Sequence, residues 1–283
     1  MKKQDIGKVA TKTISWTYIS IILVLLYLPI IWMIIWSFTG SISFTKWSGF
    51  TFDNYKDLFV GKNASAIFAA LKNTMIIAVA SSCIATILGT SAAIGIHSIR
   101  KKKIRNIYNN VNQIPMVNSE IVTAMSMMLL FQVMRGIFKT GNSLELVEVI
   151  LAHVTFCTPY VILNVSTRLT QSDNKIYEAA LDLGCNYWQA ITKVVIPEIM
   201  PGIIVGFVMA FTLSIDDFVI TEFTINGFDT ISTLIYAKQA GKKSLPTEFR
   251  ALFTILFFII LALLMFMNKP ENKKKALAST KNK

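Results

Sequence analysis

Charge is what this 283-residue chain lacks over its longest distances. No Asp, Glu, Lys or Arg occurs in Thr13–Thr45, Asn73–Ile99, Val149–Thr167, Ile199–Ile215 or Ala251–Asn268. Soluble domains are about 25% charged; here the fraction is 16%, with 53% hydrophobic residues and a mean hydropathy of +0.54. A helix of about 20 mostly apolar residues crosses a bilayer, so these runs, with short extensions, exclude a soluble globular protein. Cysteine and histidine are scarce too. Cys83, Cys157 and Cys185 stand far apart, as do His97 and His153. No metal-ligand or redox spacing results, and no metal is expected. The cysteines read as small apolar residues and the histidines as packing or interface groups. A phosphate-binding loop is missing as well, because Gly241-Lys242-Lys243-Ser244 has no upstream glycine at the required spacing. No cofactor is expected on this chain. The absence of a His cluster, a nucleophile elbow or paired carboxylates at an inner face argues against a membrane-embedded enzyme.

What is there is a set of six candidate spans in an all-α, polytopic membrane protein. Five follow the charge-free runs, at about Ile14–Phe38, Asn73–His97, Leu144–Thr167, Gly202–Phe223 and Phe249–Met267. A sixth, about Asn109–Met134, is interrupted only by Glu120. The net charge of +12 raises nucleic acid as a partner, but the placement of the charge points to lipid instead. With both ends inside, 18 of the 28 basic residues fall on inner segments, in keeping with the positive-inside rule. The largest groups are Lys2 to Lys12, Arg100 to Arg105 and the Lys-rich end after Pro270. Trp16–Phe38 is too long for a signal peptide's apolar core and has no small-residue cleavage site, so it is expected to stay as the first span.

Ionisable groups inside spans are costly, by about 2.5–3.5 kcal/mol at mid-bilayer on insertion scales, and mark candidate functional positions. Glu120 is either a translocation-path residue or one half of an ion pair with a neighbouring subunit. In the fifth span Phe211-Thr-Leu-Ser-Ile-Asp216-Asp217-Phe-Val-Ile-Thr221-Glu222 places Asp217 and Thr221 at i, i+4. Asp216 is rotated by about 100° on a continuous helix. The two aspartates then cannot aim at one spot; one lines a path while the other holds a helix end or pairs with a partner.

Between the fourth and fifth spans lies a less apolar insert, Glu178-Ala-Ala-Leu-Asp-Leu-Gly-Cys-Asn-Tyr-Trp-Gln-Ala-Ile-Thr-Lys-Val-Val-Ile-Pro197. Ile176, Ala179, Ala180 and Leu183 share a helical face. Gly184 supplies a left-handed stop, and Asn186 with Gln189 forms a capping-box pattern for a second helix from Tyr187. Pro197 is expected to end that second helix. The insert is thus a short helix–turn–helix.

Glu178, Ala179, Ala180, Gly184, Val194, Ile196 and Pro197 together resemble the "EAA" loop of bacterial ABC importer permeases, with Val194 and Ile196 as mild departures. Thr51-Phe52-Asp53-Asn54-Tyr55 and Lys72-Asn73-Thr74 resemble two further segments of that family. The string His153-Val-Thr-Phe-Cys-Thr-Pro-Tyr160 and the Thr-Leu-Ser-x-Asp-Asp of span five are similar to its spermidine/putrescine subgroup, as is Ile235-Tyr236 followed by Gly241. The resemblance implies a MetI-like permease fold with a core over about residues 69–268. It implies a coupling loop, residues 172–201, docked on an ATPase, and basic tails at residues 1–13 and 269–283. Implied partners are two copies of an ABC ATPase that binds ATP-Mg, a second homologous permease and an extracytoplasmic polyamine-binding protein. The implied location is the bacterial inner membrane with both termini cytoplasmic. Acids in spans three and five suit a cationic amine and disfavour anions. Another cargo on the same scaffold, such as a metal ion, sulfate or an amino acid, is the alternative within this class. A stand-alone channel or ion-coupled transporter using Glu120, Asp216 and Asp217 is the competing class, and it leaves the Glu178–Pro197 pattern without a reason.

Overall fold

Long apolar runs without strand-like alternation leave the backbone one way to satisfy its own polar groups in lipid, the helix. The computed structural model describes residues 2–42, 44, 46–138, 144–172, 174–240 and 246–267, and every regular element among them is helical. In order these are α1 (Lys2–Trp36), α2 (Asp53–Val60), α3 (Ala64–His97), α4 (Lys102–Val117), α5 (Glu120–Phe138) and α6 (Glu145–Gln171). There follow α7 (Asn174–Asp182), α8 (Tyr187–Ala190), a π-turn over Ile191–Val195, α9 (Ile196–Asp216), α10 (Val219–Thr224), α11 (Ile231–Gln239) and α12 (Thr247–Met267). Five stretches among the described residues are long and apolar enough to cross a membrane: Ser15–Trp36, Ala64–His97, Glu120–Ile137, Glu145–Gln171 and Tyr187–Asp216. The 21-residue α12 occupies the place of the sixth expected span. The Lys-rich tail and Gly241–Ser244 lie outside the described residues, as does the side chain of Ile176.

The chain divides into two units. Met1–Ser65 with Ala237–Lys283 forms one, and Ala66–Tyr236 the other. In the first, the segment after α1 is held by side chains that the sequence places close by. Asn54, 2% exposed, donates its amide to the carbonyls of Ser37 and Thr39 at 2.7 and 2.8 Å, and the Tyr55 hydroxyl bonds Ser37 Oγ at 2.8 Å. Arg250 of α12 is fully buried, donates to the carbonyls of Ser41 and Ile42, and lies over the Phe44 ring at 4.0 Å. This gives the Phe-x-Asn-Tyr segment a physical purpose: Asn54 satisfies carbonyls left over where α1 ends.

In the second unit α3, α6 and α9 converge on Val161, which is fully buried. A Cβ on Gly89 would stand 2.7 Å from Val161 Cβ, and one on Gly206 would stand 3.2 Å from Val161 Cγ1. The glycines therefore admit a β-branched side chain between helix backbones, the close packing that lipid-embedded helices rely on. Ala85, Ala93, Ala124, Cys157 and Ala210 line the same core. Arg135 of α5 pairs with Glu148 of α6 at 2.7 Å.

Three expectations are corrected. Pro197 does not end the second helix of the insert. The π-turn lets the Ile196 N–H reach back to Ile191 O, and Pro197 takes one of the first positions of α9, where no N–H is required. Span five starts earlier than Gly202 and stops at Asp216, with α10 as a separate short helix. The third span is α5 alone: the chain breaks at Asn118-Ser119, and Glu120 opens the first turn of α5 instead of standing within a continuous span. Asn118 Oδ1 accepts from Ser119 N at 3.0 Å at that break, the local bonding that competes with helix. On the face that Ala179, Ala180 and Leu183 share, Ala180 is buried, whereas Ala179 is exposed and Leu183 is 86% exposed.

Candidate functional site

Two places in the Ala66–Tyr236 unit gather the residues singled out by sequence. The first is the break between α9 and α10. Asp216 is the last residue of α9 and is exposed. Asp217 is turned inward, its side chain only 4% exposed. Its Oδ1 accepts from Ile220 N at 3.3 Å, and its Oδ2 accepts from both Thr221 N and Thr221 Oγ1 at 2.8 Å. A carboxylate in that position satisfies donors that the first turn of α10 leaves open. Of the two roles left open for these aspartates, Asp217 holds the helix end. Ser232 Oγ donates to the Asp217 carbonyl at 2.9 Å and brings in α11.

Sequence reading did not include His153 in this group. It is 1% exposed on α6; its Nδ1 lies 2.7 Å from Ser214 Oγ of α9 and its Nε2 lies 3.0 Å from Thr221 Oγ1 of α10. Nε2 is also 3.6 Å from Asp217 Oδ2. Ser214 Oγ continues to Ser81 Oγ of α3 at 3.0 Å. Five side chains therefore link α3, α6, α9 and α10 around one buried point. The rim is closed by Asn73, whose amide donates to Asp229 O at 3.0 Å, and by Thr74, whose hydroxyl accepts from Ile231 N at 3.0 Å. Those bonds explain the Lys72-Asn73-Thr74 pattern. Glu120 is exposed at the start of α5 and does not join the network.

The second place is the helical hairpin of α7 and α8. Gly184 has φ of 87°, and around it Gly184 N donates to Leu181 O at 2.9 Å and Cys185 N to Ala180 O at 3.1 Å. This is the paired bonding of a Schellman stop, which asks for glycine. Asn186 Oδ1 accepts from Gln189 N at 2.8 Å while Asn186 N donates to Gln189 Oε1 at 3.1 Å, the reciprocal capping box read from sequence. Glu178 lines a cleft of about 460 Å³ with Arg100, Arg105, Tyr177, Tyr187 and Glu198. Arg168 lies 3.8 Å from Glu198 beside it. Val194 and Ile196 are half-buried and Pro197 is exposed. Leu183, Tyr187 and Trp188 leave large apolar surfaces uncovered, Trp188 at 72%.

A family model for the binding-protein-dependent transport system inner membrane component matches residues 85–269, which takes in the hairpin and all of the break's network except Ser81 and the rim residues Asn73 and Thr74. The chain belongs to this family. The permease is 33% identical over 232 residues to the putrescine transport system permease protein PotI of Escherichia coli K12, covering 82% of this chain and 81% of the relative. It is 32% identical over 241 residues to the spermidine/putrescine transport system permease protein PotC of the same strain, covering 85% and 86%. Among solved structures it matches a bacterial ABC transporter involved in the import of the acidic polysaccharide alginate, with a TM-score of 0.70 at 18% identity over 96% of this chain and all of that one. The likeness to that structure establishes the fold alone. The helical scaffold, the membrane location and membership among binding-protein-dependent transporters thus rest on agreement between family, relatives and structure.

Proposed function

We propose that this chain is one of two membrane-spanning subunits of an ATP-driven importer for putrescine and spermidine. It hydrolyses nothing itself; two copies of a separate ATPase hold ATP-Mg, and an extracytoplasmic binding protein delivers the cargo. Both termini and the α7–α8 hairpin face the cytoplasm. The hairpin residues Glu178, Ala179, Ala180, Gly184, Val194, Ile196 and Pro197 form the surface that receives the ATPase, and the uncovered Leu183, Tyr187 and Trp188 extend it.

The observation that carries the choice of cargo is the chemistry of the α9–α10 break. A scaffold of this shape belongs to a bacterial transporter involved in the import of an acidic polysaccharide, so shape does not set the sign of the cargo. Here the donors at the start of α10 are already taken by Asp217, which leaves an anion little to bind. The C-terminal end of α9 bears Asp216, exposed, at the negative pole of the helix, where a carboxylate is unfavourable unless a cation meets it. Asp216 and Glu120 are the cargo-facing acids in this reading. Asp217 and Thr221, both turned inward, shape the path without lining it.

The test is uptake into proteoliposomes holding this chain with its ATPase, companion permease and binding protein. Labelled spermidine should enter only with ATP and all components, compete with putrescine and ignore sulfate. In the same system Asp216→Asn should raise the half-saturating concentration about tenfold, the loss of one charge contact worth about 1.4 kcal/mol, while leaving assembly unchanged. Uptake by this chain alone without ATP, or competition by sulfate, would overturn the proposal.

A further inference from the structure

The buried chain of hydroxyls around His153 has a direction that follows from counting hydrogens. A carboxylate only accepts, and a hydroxyl has one hydrogen to give. Thr221 Oγ1, 2.8 Å from Asp217 Oδ2, must donate there. Its contact with His153 Nε2 at 3.0 Å is then a hydrogen bond only if Nε2 carries the hydrogen. With Nε2–H fixed, a neutral imidazole has Nδ1 free to accept, and Ser214 Oγ at 2.7 Å is its donor. Ser214 has thereby spent its hydrogen, so Ser81 turns its own to the 3.0 Å contact between the two serines in preference to the Ala78 carbonyl at 3.3 Å. The polarity runs Ser81 to Ser214 to His153 to Thr221 to Asp217, across α3, α9, α6, α10 and the α9–α10 break. The gap between Thr74, His153, Ser214, Asp217, Thr221 and Ser232 leaves no room for even a water-sized molecule, so cargo does not enter it.

We propose that His153 is a positioning residue for transport: its Nε2–H, aimed at Thr221, ties α6 to the α9–α10 break and keeps Asp217 facing inward as the cap of α10. Asp216 is thereby left alone on the exposed end of α9. The tautomer follows from geometry, whereas the role in transport rests on the importer reading above. A buried imidazole that touched cargo would alter affinity. A pin that sets the shape of the break alters turnover instead.

The chain has two histidines, so a ¹⁵N-histidine-labelled sample of the assembled transporter shows two imidazoles from this subunit, and His97→Gln identifies the remaining one. His153 should give the shift pair of a neutral Nε2–H tautomer, and Thr221→Val should change the Nε2 shift as its hydrogen turns from the lost hydroxyl to Asp217 Oδ2, 3.6 Å away. In proteoliposomes, Thr221→Val and His153→Phe should each lower maximal uptake about tenfold, as for a buried polar group left without its partner, with unchanged half-saturation. The double variant should be no worse than the more severe single change, and Thr221→Ser should restore the rate by returning the hydroxyl. An Nδ1–H tautomer in the unaltered protein, or a Thr221→Val spectrum identical to it, overturns the pin. So do additive losses, or a shift in half-saturation without loss of rate. A wild-type complex that takes up no polyamine sinks the cargo reading instead, and the spectra then decide the pin by themselves.

Discussion

The α9–α10 break and the α7–α8 hairpin are both interruptions of helix, and they are finished in opposite ways. At the break, Asp217, Thr221, Ser214, His153 and Ser81 satisfy one another out of contact with solvent. At the hairpin the backbone is closed by its own Schellman and capping bonds, but Leu183 and Trp188 are left 86% and 72% exposed. The first is complete within the chain; the second is complete only as backbone. A bonded interior point resists change one residue at a time, whereas an uncovered apolar edge is, in the function proposed above, the seat of the ATPase. Damage at the break should therefore appear in the isolated subunit, and damage at the hairpin only in the assembly.

The largest effect should come from Asp217→Ala. It strands the donors of Ile220, Thr221 and Thr221 Oγ1 in a buried site, at about 1–3 kcal/mol for each group left without a partner. The thermal midpoint of the purified subunit in detergent should drop markedly, and an unchanged midpoint would erase the contrast between break and hairpin. Next comes Trp188→Ser. This should leave the subunit's midpoint in place yet weaken capture of the partner ATPase about tenfold to a hundredfold, the range for a central aromatic anchor. Lost stability with normal capture would invert the comparison. Gly184→Ala should cost about 1–2 kcal/mol through the left-handed backbone alone, because a Cβ there meets nothing within 4 Å. Substrate-stimulated ATPase is the readout, and a normal stimulation ratio would show that the angle between α7 and α8 is not what transmits. Smallest is Asn186→Ala, which removes half of the capping box at about 1 kcal/mol or less. Faster amide exchange confined to Gln189 and its neighbours should be its only sign.

The hairpin was legible in sequence because its instructions are local. Gly184 and the Asn186–Gln189 spacing act within a few residues, and no distant partner was needed to read them. The break was legible only in part. Asp217 and Thr221 stand four apart and announce themselves, but His153 meets its partners 61 and 68 residues away in the chain. Nothing in an isolated histidine on an apolar run distinguishes a pin from a packed ring. The errors have physical reasons too. Pro197 carries the usual signal for a helix stop, yet a π-turn one step earlier shifts the bonding so that the ring costs nothing. The Asn118-Ser119 break was hidden by the apolar residues on either side, since hydropathy averages over a window and a turn does not. Arg250 shows the same limit, as a cation at the head of an apolar run whose value lies in two carbonyls more than 200 residues earlier.

The π-turn that disarms Pro197 has a mechanical consequence. Because helix continues through it, Tyr187–Asp216 is one uninterrupted stretch of 30 residues, about 45 Å long at 1.5 Å per residue. It is bounded by the left-handed Gly184 just before one end and by the aspartate pair at the other. Pro201 lies within that stretch and frees one backbone carbonyl from its helical donor, so a push on α8 in the proposed importer reaches Asp216 only as far as the helix stays straight at that proline.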